Sequence, residues 1–201
     1  MQPKTPFKVV YLIIAASIVL TSCADANPVP IKAQKNADAW PNSDITLHSV
    51  RNVLIKAVGP SVIPVAEAQE IGIEGANNKT ITVNLRTESM DDPDECMLNA
   101  AQTLIEYGRL LFANKGIETV EVCLVGNPNP QSSKRSKKEL VRIAMKRSDA
   151  LVILNAQRQE EPIQEDQYHD IYTSASWYKV HPIIYKSLRY KGNLKMRAYK
   201  N

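Results

Sequence analysis

The chain has 201 residues, 44% of them hydrophobic and 23% charged, with a formal net charge of +4. These are ordinary globular values, and with no internal repeat or low-complexity block they exclude a solenoid or a compositionally biased chain. Only two Phe and two Trp occur, so aliphatic side chains must fill the core.

Lys4 and Lys8 make a short positive start, followed by twelve uncharged residues from Val9 to Leu20. A helix of that length covers about 18 Å, short of the ~30 Å hydrocarbon core, so the segment reads as a secretory leader rather than a membrane span. Leu20, Thr21, Ser22 and Cys23 follow. In their order this segment resembles the bacterial lipoprotein leader, whose lipobox is a Leu, two small residues and a Cys; the resemblance covers the first 23 residues. It implies cleavage after Ser22, a diacylglyceryl thioether on Cys23 and acylation of the new amine. Three acyl chains at ~0.8 kcal/mol per buried methylene make a permanent anchor. It also implies, in a diderm organism, the periplasmic face of the outer membrane, because Ala24 rather than an Asp follows the Cys. The mature chain would keep 179 residues and a net charge of +2, enough for one domain with a substantial core.

Residues 23–42 carry three prolines and little apolar periodicity, the composition of a lipidated tether, with Trp40 expected to dock on the domain edge. A single domain is expected over 43–201. Ser43 and Asp44 can cap a helix bearing Leu47, Val50, Leu54 and Val58, stopped by Gly59-Pro60. Alternation predicts strands at about 69–74 and 79–86, joined by a turn at Gly75–Asn78. Asp92, Pro93 and Glu95 open the clearest helix, running to about Asn114 with Leu98, Ala101, Leu104, Ile105, Gly108, Leu111 and Phe112 on one face. Lys115-Gly116 ends it. A third strand at 118–125 carries Val120, Val122 and Leu124 inward.

After a polar loop, Gly126–Lys138, the next segment fits either period; the strand is chosen because a hairpin with 118–125 pairs both edges. Ser148-Asp149 would cap a short helix through Asn155, and one or two short helices follow, one near Pro182. The expected class is α+β, an antiparallel sheet of about four strands with helices mostly on one face. The last residues, about 191–201, form a basic tail. Cys96, at a helix start, and Cys123, on the outer strand face, are expected to stay as thiols, since bridging needs Cα atoms within about 7 Å.

The acidic group Asp91, Asp92, Asp94 and Glu95 lacks the ligand alternation of a calcium loop and reads as helix capping. His48, His169 and His181 lie apart without metal-ligand spacing, and there is no Gly-rich phosphate loop, nucleophile elbow or paired zinc-binding motif. No metal, cofactor or catalytic residue is therefore expected; a hydrolase using Glu165, His169 and Asp170 is the weakest of the alternatives. Basic charge is concentrated: Lys134, Arg135, Lys137, Lys138, Arg142, Lys146 and Arg147 face only Glu139, and no acid follows Asp170. In a cytoplasmic protein such runs would suggest nucleic acid. For an exported one the expected partner is an envelope protein or an anionic lipid or polysaccharide, contacted by Lys134, Arg135, Lys137 and Lys138 and by the tail. A structural subunit of a secretion or conjugation assembly is the alternative role.

Overall fold

The computed structural model describes residues 40–59, 61–75, 79–87, 92–128, 137–150 and 168–194. The leader, Cys23, most of the tether, the far half of the loop after Gly126, residues 151–155 of the expected short helix and the end of the tail lie outside them.

Five strands form one sheet in chain order: β1 (Ala68–Glu74), β2 (Thr80–Arg86), β3 (Thr119–Gly126), β4 (Lys138–Lys146) and β5 (Trp177–Val180). The α+β class stands, with one strand more than expected. All neighbours pair antiparallel except β2 and β3, which are parallel in register from Thr80 opposite Thr119 to Arg86 opposite Val125. The reason is length. The helix between them, α2 (Pro93–Leu111), has 19 residues and spans about 28 Å, against about 23 Å for a seven-residue strand. It carries the chain back past the whole of β2, so β3 starts from the same end.

Alternation sorts the sheet into two faces. Ile73, Ile81, Val120 and Met145 form one row of the inner face. Ile71, Val83, Val122, Ile143 and Tyr178 form the next, and Leu85, Leu124, Val141 and Val180 the third. Helix α2 lies along β3 and β4, and α1 (Leu47–Leu54), α3 (Tyr168–Ser174) and α4 (Pro182–Ser187) pack against α2. Their buried side chains join the same apolar cluster. Gly108 allows the close approach: a Cβ there would already touch the Met145 sulfur at 3.8 Å and the Phe112 ring at 3.4 Å. Cys96 lies in this core while Cys123 points to the other face; both are free thiols and both are buried.

Several local expectations shift. The N-cap of α1 is Thr46, in a capping box with Ser49, rather than Ser43 or Asp44. Val50, Val53 and Leu54 face the core, whereas Leu47 and Val58 are 53% and 76% exposed. The four-residue strand β5 occupies a stretch where short helices were expected; Val141 pairs with Val180 and Ile143 with Tyr178. Residues 147–150 are helical, beginning one residue before Ser148. Trp40 docks as expected: it is buried and its Nε1 donates to the Leu110 carbonyl at 2.9 Å. Asn114 Nδ2 closes the same join by donating to the carbonyls of Trp40 and Ser43.

Candidate functional site

The basic residues singled out in the sequence divide into two groups. Lys134 and Arg135 lie outside the described residues. Lys137 and Lys138 are exposed, the second at the start of β4 opposite Gly126. Lys138 stands near His181: burial and that positive charge together lower the imidazole's pKa, and His181 Nδ1 accepts from the Ile183 N–H as the cap of α4.

Three arginines of the same runs are engaged by partners within the chain, although the Arg189 side chain stays 54% exposed. Arg147 donates to the carbonyls of Phe112, Asn114 and Ile117 and stands 5.1 Å from the centre of the Phe112 ring. It thus satisfies the C-cap carbonyl of α2 and ties it to the turn that leads into β3. Arg142 donates to Glu139 at 2.7 and 2.8 Å and lies 3.6 Å from Glu121. Arg189, near the tail, pairs with Asp92 at 2.6 Å and donates from its backbone N–H and its Nε to Asp94 at 2.9 and 3.2 Å.

The acidic group at the start of α2 therefore does more than cap it. Asp92 is the N-cap and accepts from the Asp94 and Glu95 N–H groups. Asp94 is wholly buried and also accepts from the Tyr168 hydroxyl at 2.7 Å and the Tyr190 N–H at 3.1 Å. Burial pushes its pKa up. The N–H of Arg189, the Tyr168 hydroxyl, the N–H of Tyr190 and the Arg189 guanidinium outweigh burial and hold it below the ordinary Asp value. Nothing in the one-dimensional pattern pointed to this clasp, because its partners lie 74 to 96 residues away.

The outer face of the sheet carries the densest polar arrangement. Register places Glu70, Asn84, Cys123, Arg142 and Lys179 in one row and Gly72, Thr82, Glu121, Ala144 and Trp177 in the next. Burial raises the Glu121 pKa, with Arg142 opposing and Glu74 and Glu139 reinforcing the rise. Lys179 lies 5.9 Å from the centre of the Trp177 ring. Cys123 is no activated nucleophile: burial and the Glu139 carboxylate push its thiol up to about 12, so it stays protonated at neutral pH. Cys96, deep in the core, is pushed up to about 12 as well, by burial and by Glu95.

The histidines do not converge. His48 bonds Asn52 on α1, His169 stands 3.2 Å from its neighbour Asp170, and His181 caps α4. Glu165 lies outside the described residues. Among those residues no three His, Cys, Asp or Glu side chains are grouped to hold a metal ion, and no helix is long and apolar enough to cross a membrane.

No family model, curated protein or solved structure matches this chain. Its function has to be argued from its own residues.

Proposed function

We propose that this chain is a lipid-anchored protein of the bacterial envelope whose folded part is a binding module, not an enzyme, for a protein or an anionic envelope component. The anchor rests on Leu20–Cys23. The observation that carries the binding surface is the division of the basic residues. Arg142, Arg147 and Arg189 are paired with carboxylates or carbonyls of the chain itself, whereas Lys137 and Lys138 stand exposed where the basic loop joins β4. Cations exposed in this way attract anionic surfaces through a field that salt screens over about 8–10 Å.

Two measurements test the two halves. Mass spectrometry of the chain purified from bacterial membranes should find residue 23 acylated and residues 1–22 removed; a bare Cys23 removes the anchor. A photoactivatable residue at position 137 should crosslink to an envelope component in cells. The adduct should disappear in high salt and when Lys134, Arg135 and Lys138 are changed to Glu. An adduct indifferent to both would refute charge-driven capture at this loop.

A further inference from the structure

Helix α1 buries Val50, Val53 and Leu54 and turns a second, unpartnered flank outward. Leu47, Arg51 and Ile55 follow at four-residue spacing on that flank, and exposed Val58 stands in the segment just after the helix. Leu47, Ile55 and Val58 are 53%, 63% and 76% exposed, the three most exposed large apolar side chains among the described residues. Exposed Arg51 lies between Leu47 and Ile55 on the flank, and exposed Lys56 lies between Ile55 and Val58 in the turn that follows. His48 and Lys115 are exposed at this end too, as are Asp44 and Glu118, the latter paired with Lys79.

We propose that this flank of α1 rests on an anionic bilayer surface, with the apolar tips among the acyl chains and Arg51 and Lys56 among the lipid phosphates. The inference rests on the lipid-anchor reading and deepens it. Two features favour a bilayer over a protein as the occupant.

The first is where the tether joins the body. Trp40 is fastened to the Leu110 carbonyl and, through Asn114, to the end of α2. Ile45, just before α1, packs over Gly116, so α1 begins at that same end. Sixteen residues separate Cys23 from Trp40. Whatever their conformation, they span at most about 60 Å, so an acylated chain keeps the end of the body that carries Trp40 within that reach of the lipid.

The second is chemistry. Isolated apolar tips separated by cations suit the interface of an anionic bilayer, where apolar area and Lys/Arg attraction add. Orientation then agrees with the partner reading. Lys138 lies opposite Gly126, at the far end of β3 from Thr119, and β3 starts just beyond the join at Asn114–Gly116. Eight residues of strand put about 25 Å between the two ends of β3, which directs the basic loop away from the anchored end.

The test uses the full chain from bacterial membranes, carrying Val58→Cys or Lys137→Cys labelled with an environment-sensitive fluorophore; Cys96 and Cys123 are buried and take no label. It is reconstituted in vesicles of phosphatidylethanolamine with phosphatidylglycerol, or of phosphatidylcholine alone. The label at 58 should shift to the blue in the anionic vesicles and be quenched by acyl-chain quenchers, while the label at 137 stays water-like. Arg51→Gln and Lys56→Gln should each weaken the contact roughly fivefold. A water-like label at 58 in anionic vesicles overturns the proposal. So does a blue shift that needs no lipid and grows with protein concentration, which would mean that a second copy covers the flank. A missing acyl group at Cys23 sinks the anchor reading alone, because the Cys23→Ser chain carrying the same label, mixed with vesicles, still reports on α1.

Discussion

Asp94 is the one fully buried charge among the described residues, and its four donors come from α3 and from the segment after α4. Removing the charge while keeping the shape, Asp94→Asn, should cost about 2–4 kcal/mol in denaturant unfolding, since it leaves Arg189 and two N–H groups facing a weaker acceptor. Tyr168→Phe should cost about 1.5–3 kcal/mol, the worth of one hydrogen bond to a carboxylate. The pH dependence has a definite sign. A carboxyl held below its unfolded value stabilises the fold fully above about pH 4, and the contribution fades as acid protonates it in the folded state. The protection factors of residues 188–194, corrected for the intrinsic exchange rate at each pH, should therefore fall on acidification well before those of the sheet amides, and Asp94→Asn should abolish that pH dependence. The thiols give a second residue-scale expectation: Cys96 and Cys123, pushed up to about 12, should resist alkylation at neutral pH until the protein unfolds.

At the scale of elements, the two helices with apolar stripes fared differently. For α2 the stripe, the Asp92 cap and Pro93 fixed both the existence of the helix and its buried face, because nineteen residues give many repeats of the period. For α1 eight residues do not: Leu47, Val50, Leu54 and Val58 share a spacing, yet only Val50 and Leu54 of that set are buried, and Val53 takes the third core position. Serine substitutions measure the difference. Val50→Ser should cost about 2–4 kcal/mol, as a large-to-small change in a packed core that also buries a hydroxyl. Leu47→Ser and Val58→Ser should stay within about 0.5 kcal/mol in the absence of membranes. The join at Trp40 is a packing site too: Trp40→Ala removes a buried indole and its bond to the Leu110 carbonyl, with an expected loss of about 3–5 kcal/mol. Strand β5 escaped the sequence reading because four residues offer too few alternations to outweigh neighbouring helix signals. Its place is set by the exposed edge of β4, whose backbone groups it satisfies.

Across the whole molecule, charge counted along the chain overstated the charge available to a partner. Seven bases between 134 and 147 face one acid in the sequence, but Arg142 is engaged by a carboxylate pair and Arg147 by carbonyls at and just after the end of α2. Reversing Lys137 and Lys138 to Glu should leave thermal stability unchanged, because both are exposed, while removing the salt-sensitive crosslink at the basic loop and leaving the vesicle contact of α1 intact. An unfolding midpoint that falls sharply in this variant would mean that the two lysines serve the fold instead.

Periodicity, turn residues and caps were enough, by themselves, for the α+β class, the long helix, strands β1 to β3 and the aliphatic rows they carry, since each depends on neighbours a few residues apart; the β4 segment fitted either period and was read as a strand only from its pairing with β3. The lipobox resemblance is equally local, and the anchor proposed from it stands on four residues. Tertiary structure alone decided that β2 and β3 run parallel, that β5 closes the sheet, and that Asp94 clasps a segment almost a hundred residues away. It alone left one flank of α1 bare and showed which arginines are occupied. Those outcomes turn on contacts between distant segments, and a linear pattern states which groups need a partner without stating where the partner lies.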